Sequence, residues 1–295
     1  MRVATSATEV MHDKEVNAAK IASLTEKAAA AGAELIVFPE TALQGYMYGI
    51  NHEVSVEELR YHYREAEPLN GPTVLELAAV ARGAGINVVF GMTEAAGAVL
   101  YNTAVLCTPD GSISGFRKVH RGGSELHIYE PGTRVQPVSM SIGRVGINIC
   151  YDMCFPEIAR MQALAGAQLL IFPNAWPSPH SKDGADQNDP RLLPYLLLPR
   201  ARAWENQCFV ITSNVVGTAD VGGVSYYGHS MIIDPLGRIL ADTGDEEGVV
   251  FADIDLQAGI LDARTGPFFG YNLLKDRRPD VYDGIDRARP FEPEA

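Results

Sequence analysis

Glu40, Lys118 and Cys150 each come directly after an apolar run, in LIVFPE, GFRKVH and VGINICYD. A thiol with a pKa near ~8.5 is mostly protonated at neutral pH and needs a base or cation nearby before it attacks a carbonyl. A carboxylate in hydrogen-bond reach takes the thiol proton and later returns it to a departing amine. An ammonium group favours the thiolate and stabilises the oxyanion, with a backbone N–H as helper. The three side chains supply these functions without a histidine. Singly, each has an ordinary explanation: Glu40 as a solvated carboxylate opening a helix, Lys118 as a charged strand exit, Cys150 as a core thiol. In α/β sheets, however, residues just past strand C-termini line the crevice where ligands bind, so distant segments converge there.

The elements that must position them alternate along the chain. Residues 34–38, 86–91, 144–150, 168–172, 208–214 and 248–254 are short, Val/Ile-rich runs suited to buried strands. Ala18, Ile21, Ala22, Thr25, Ala28 and Ala29 share one helical face, and Gly32 offers a stop. Further helices are expected over about 73–83 and 157–166. AVLCTPDGSISGF and MIIDPLGRIL read as hairpins turning at PDG and DPLG. The pattern is α/β with no internal repeat and no Pro/Ser-rich linker. One domain over residues 1–283 is expected, with residues 284–295 as a tail. The polar stretch 177–190 reads as a surface loop near a pocket mouth.

The formal charge of −13 repels a polyanion, so nucleic acid is not an expected partner. No run approaches the roughly 18 apolar residues of a membrane span, and MRVATSATEV has no secretory pattern. Four cysteines are too sparse for a disulfide scaffold; Cys107 and Cys208 sit in apolar runs as small buried hydrophobes. The expectation is a soluble, cytoplasmic protein without membrane partners.

The sequence resembles the nitrilase, or carbon–nitrogen hydrolase, superfamily. FPETALQGY (38–46), FRKVH (116–120) and GINICYDMCFPEIAR (146–160) are similar to its glutamate, lysine and cysteine motifs. YNTAVL, PNAW, RAWEN, GHS before IIDPLG, and RRPDVY extend the likeness over about residues 3 to 282. The resemblance implies a four-layer α-β-β-α sandwich of the nitrilase type and hydrolysis through a cysteine acyl-enzyme. Cys150 would be the nucleophile, Glu40 the general base and acid, Lys118 the oxyanion stabiliser, and the Tyr151 backbone N–H the second oxyanion donor. A second family glutamate falls on Glu125 by register, with Glu130 as competitor. Tyr46, Asn174 and Trp176 take pocket positions. No cofactor and no metal are implied: Cys150 and Cys154 are not spaced as C-x-x-C, and no second Cys/His pair has zinc-like spacing. His120 and His127 match no required family residue and are expected to be solvent-facing or locally satisfied. Homodimers or larger homo-oligomers are common in the family.

Tyr151-Asp152 resembles the amidase and carbamoylase branches, whereas nitrile hydrolases tend to carry Trp-Glu there. Members that bind a substrate carboxylate often place Arg where this chain has Met153 and Cys154, so the clamp for a free carboxylate is missing. HRGGSELH departs from the usual His-Leu-Pro continuation. Small neutral carboxamides are therefore the expected substrates. N-carbamoyl amine or amino acid hydrolysis, nitrile hydrolysis, a silent scaffold of the same fold and a Cys150–Cys154 redox protein are the alternatives.

Overall fold

The computed structural model describes residues 1–46, 54–178, 189–266, 270–282 and 284–285. Its first half runs β1 (Arg2–Ala7), α1 (Lys14–Ala30), β2 (Leu35–Val37), α2 (Val56–Glu65), α3 (Pro72–Ala84), β3 (Asn87–Ala96), β4 (Val99–Cys107) and β5 (Ile113–Arg117). The second continues β6 (Val138–Met140), β7 (Gly143–Ile147), α4 (Pro156–Leu164), β8 (Leu169–Asn174), β9 (Pro177–Ser178), α5 (Leu193–Asn206) and β10 (Phe209–Asn214). It ends with β11 (Val216–Thr218), β12 (Ser225–Tyr227), β13 (Met231–Ile233), β14 (Ile239–Asp242), β15 (Gly248–Asp253) and α6 (Leu256–Thr265).

Two six-stranded sheets result, ordered β15-β1-β2-β3-β4-β5 and β14-β13-β10-β8-β7-β6. Alternation along each strand stacks them, because successive side chains leave opposite faces. Val89, Ala104 and Leu106 of the first sheet meet Ile147, Leu169, Ile171 and Ile211 of the second in one central core. Their neighbours Val88, Phe90 and Val105 turn outward onto Ile21 and Ala28 of α1 and Val74, Leu77 and Ala81 of α3. On the far side, Leu170, Phe172, Val210 and Ile233 pack against Ala159 and Ala163 of α4 and Tyr195 and Ala203 of α5. Helix, sheet, sheet, helix: the expected four α-β-β-α layers are observed.

The strand runs and three helices expected from the sequence are present, as are both hairpins. In the central segment β1 pairs parallel with β2, and β7 with β8 and β8 with β10. Polar contacts join the two sheets there: Thr5 Oγ1 donates to Thr212 O at 2.6 Å and Ser213 Oγ to Ser6 O at 2.7 Å. Most of the 177–190 stretch, and residues 286–295 of the expected tail, lie outside the described residues. Among the described residues, no helix is long and apolar enough to cross a membrane.

Candidate active site

Glu40 leaves the end of β2 through Phe38-Pro39 and is wholly buried. The turn is held tightly against β3: Gly91 N donates to Pro39 O at 3.0 Å, and Leu43 N to Gly91 O at 3.1 Å. A Cβ on Gly91 would stand 2.2 Å from Thr41 N and 2.7 Å from Glu40 Cα, so only glycine admits this approach. Thr41 itself takes φ +46°. The second sheet completes the grip. Glu40 N donates to Asn174 O at 3.3 Å, and Ala175 N, just past β8, donates to Glu40 Oε2 at 2.9 Å.

Lys118 follows β5 and is 2% exposed, a burial rare for lysine without partners. Its main chain is fixed on both sides, with Lys118 N donating to Asn102 O at 2.8 Å and Gly132 N to Lys118 O at 2.7 Å. Its Nζ lies 2.7 Å from Glu40 Oε1, and 2.9 and 2.8 Å from Glu125 Oε1 and Oε2. Glu125 stands in a short turn over Gly123–His127, where Gly122 N also donates to its carboxylate at 3.0 Å. Glu130, the competing candidate, is exposed.

Asn102 of β4 binds these groups together. Its Nδ2 donates to Glu40 Oε1 at 2.7 Å and to Glu125 Oε1 at 2.8 Å. The sequence reading did not single it out. Its signal was an amide inside the apolar strand YNTAVL, since a buried polar side chain requires partners.

Cys150 opens a short turn over Cys150–Cys154 after β7, with φ +46° and 8% exposure. A non-glycine residue in this region costs on the order of 1–3 kcal/mol and is kept only where surroundings enforce it. Asp152 supplies much of that enforcement. Wholly buried, it accepts from Ile149 N at 3.0 Å and from His120 N at 2.7 Å, so the turn is tied to the segment after Lys118. His120 is satisfied locally, as expected: its Nδ1 is 2.9 Å from Asp152 Oδ1 and its ring stacks on Phe155 at 3.7 Å. His127 is exposed, also as expected. The Ala175 N–H that holds Glu40 also faces the Cys150 thiol.

Two carboxylates against one ammonium leave net negative charge in a dry site. Burial pushes Glu40 above the ordinary glutamate range; Lys118 opposes this and Glu125 adds to it, and the outcome is upward. Burial works against the Lys118 charge, yet Glu125 and Glu40 override it and hold the ammonium protonated. Burial, then Glu40, push the Cys150 thiol up, while Lys118 and the Ala175 N–H pull the other way. At rest the sulfur keeps its proton beside a carboxylate whose affinity for one is raised.

Tyr46 lies in the same field: burial, then Glu125, Glu40 and Cys150, push its phenol up. Asn174 is wholly buried, with Nδ2 donating to Phe172 O at 2.6 Å, and serves the frame beneath Glu40 through its main chain. Trp176 is half-buried, its Nε1 donating to Arg191 O at 3.0 Å. Tyr151 presents a partly exposed ring beside Phe155. All four cysteines are free thiols, and burial pushes both Cys107 and Cys208 up to about 12.

The family model described as carbon-nitrogen hydrolase matches residues 2–262. An (R)-stereoselective amidase of Pseudomonas sp is 36% identical over 248 residues, 83% of this chain and 80% of its own length. Omega-amidase NIT2 of Danio rerio is 31% identical over 292 residues, 95% of this chain and 96% of its own. Among solved structures, the amidase from Nesterenkonia sp. AN1 with acrylamide added at its active site cysteine superposes with a TM-score of 0.71. It is 27% identical, covering 97% of this chain and 99% of that one.

Proposed function

The chain belongs to the carbon–nitrogen hydrolase family, and on that premise we propose that it hydrolyses small neutral carboxamides to acid and ammonia or amine through an acyl-Cys150 intermediate. The observation that carries this reading is the buried Glu40–Lys118–Glu125 cluster, with Lys118 Nζ 2.7 Å from Glu40, next to the Cys150 thiol.

Cys150 Sγ attacks the amide carbonyl carbon while Glu40 takes the thiol proton. The carbonyl electrons move onto oxygen, and Lys118 Nζ with the Tyr151 N–H stabilises that oxyanion. An ammonium has three N–H donors. Glu40 and Glu125 occupy two of them, and the third serves the substrate oxygen. When the intermediate collapses, Glu40 gives its proton to the leaving nitrogen, and ammonia or an amine departs. Water then attacks the thioester with Glu40 again as base; collapse releases the acid and returns the proton to sulfur. Glu125 keeps Lys118 in place, and its charge helps to hold Glu40 basic. No step requires a cofactor.

Substrate choice rests on the residues after the nucleophile. Met153 is wholly buried in the core beneath α4 and α5, and Cys154 carries a thiol, so neither gives a carboxylate a bidentate donor. Tyr46 and Trp176 supply aromatic walls to the pocket. Product analysis over matched carboxamides, N-carbamoyl compounds, nitriles and dicarboxylic monoamides tests the reading. Carboxamides should be turned over fastest, and a clear preference for the monoamides would overturn the neutral-amide assignment.

We also expect a homodimer or larger assembly. Met161 and Leu164 of α4 and Leu197 and Trp204 of α5 all stand about half exposed on the outer helical layer.

A further inference from the structure

We propose that His12, Glu58 and His62 form a binding site for a divalent transition-metal ion of the zinc class, separate from the Cys150 site. His12 lies in the loop between β1 and α1, while Glu58 and His62 stand on α2. Four residues apart on one helix, Glu58 and His62 project from the same face. One ligand atom from each of the three lies within 4.8 Å of the other two. Side-chain movements on the order of 1 Å bring all three onto one ion at ~2.0–2.2 Å.

Each imidazole already has an outer partner on one ring nitrogen. His12 Nδ1 is 3.2 Å from Asp220 Oδ1, and His62 Nδ1 is 3.3 Å from Thr93 Oγ1. A carboxylate or hydroxyl on one imidazole nitrogen sets the tautomer and aims the other at the metal. His62 is wholly buried, and its Nε2 has no hydrogen-bond partner among the described residues. Such an atom carries an unmet desolvation cost that an ion would remove. Two imidazoles and one carboxylate suit zinc-class ions better than magnesium or calcium, which prefer oxygen alone. Bound there, the ion clips the loop after β1 to α2, with Asp220 bringing in the loop before β12.

Cysteine spacing, on which the sequence reading of metals rested, plays no part in this site. The test uses the whole chain carrying Cys150→Ala, so that the reactive thiol does not compete for metal. After stripping with a chelator, it is titrated with Zn²⁺ and with Co²⁺ and passed through gel filtration. One retained ion per chain is expected, with a Tm raised by Zn²⁺ and restored by chelator. His12→Asn and Glu58→Gln, each first shown by circular dichroism to fold, should lose both the ion and the Tm response. No ion retained by the parent, or retention unchanged in either folded variant, overturns the proposal.

Discussion

Asn102 donates to both carboxylates that face Lys118, and this makes the acid limb of the pH–rate profile a direct reading of the cluster. In the proposed mechanism Glu40 serves as base only when ionised, and burial raises its pKa. Activity in kcat/KM should therefore rise with pH through a pKa above the ordinary ~4.3 of glutamate. The Asn102 hydrogen bond favours the charged form of Glu40 and holds that pKa lower than it would otherwise be. Asn102→Leu should move the acid limb to higher pH and cost about 1–3 kcal/mol of stability, because two buried acceptors lose a donor. A limb that stays in place or moves to lower pH contradicts this electrostatic account. Glu40→Gln keeps the shape but removes the proton shuttle. It should lower kcat by about 100- to 10,000-fold with an unchanged circular dichroism spectrum. Glu40, Lys118 and Cys150 could be singled out in sequence because each follows an apolar strand in a recognisable motif, whereas Glu125 rested on register after the lysine motif alone. Asn102 and Asp152 were not identified as positioning residues, because their meaning lies in partners contributed by other segments.

Gly91 and the turn carrying Glu40 meet between elements, and that contact is open to a single-methyl test. Gly91→Ala puts a Cβ 2.2 Å from Thr41 N, so backbone must shift at the base of Glu40. Calorimetry should show a loss of about 1–3 kcal/mol, and kcat should fall with it; a variant with parental Tm and parental kcat would show that the approach is relaxed at no cost. At the β13–β14 hairpin, His229 Nδ1 lies 3.0 Å from Asp242 Oδ2. The hydrogen bond to Asp242 raises the His229 pKa, burial opposes it, and the outcome is upward. A raised folded pKa means stability fully present below ~6.5 and lost as pH climbs through the higher folded value. His229→Asn should thus shrink the Tm difference between about pH 6 and about pH 8, which a melt at each pH would check. Element boundaries were less legible than motifs. β1, an interior strand paired with β15 and β2, was not assigned: its Thr5 and Ser6 break the apolar signal, yet both are buried and hydrogen-bonded. α5 went unassigned because Pro199 lies inside it, and α2 because its sequence VEELRYHYRE is almost entirely polar.

The two sheets act as opposed platforms whose loops meet at one rim. Glu40 comes from one, Cys150 and Ala175 from the other, and the Ala175 N–H bridges them. The alternating apolar strands already required burial on both faces, but how the sheets stack follows from contacts no single run reveals. The half-exposed Met161, Leu164, Leu197 and Trp204 lead us to expect a dimer or larger assembly by sedimentation, and Trp204→Glu should shift it toward monomer. A monomeric parent at micromolar concentration would contradict that expectation. The convergence of acid, amine and sulfur on one bound carbonyl is tested most directly by intact-mass spectrometry with peptide mapping, during turnover of a small carboxamide. An acyl mass should appear on the peptide containing Cys150 and decay as acid forms, and Cys150→Ala should show neither adduct nor hydrolysis. Hydrolysis that persists in Cys150→Ala, or an adduct on another residue, would contradict it.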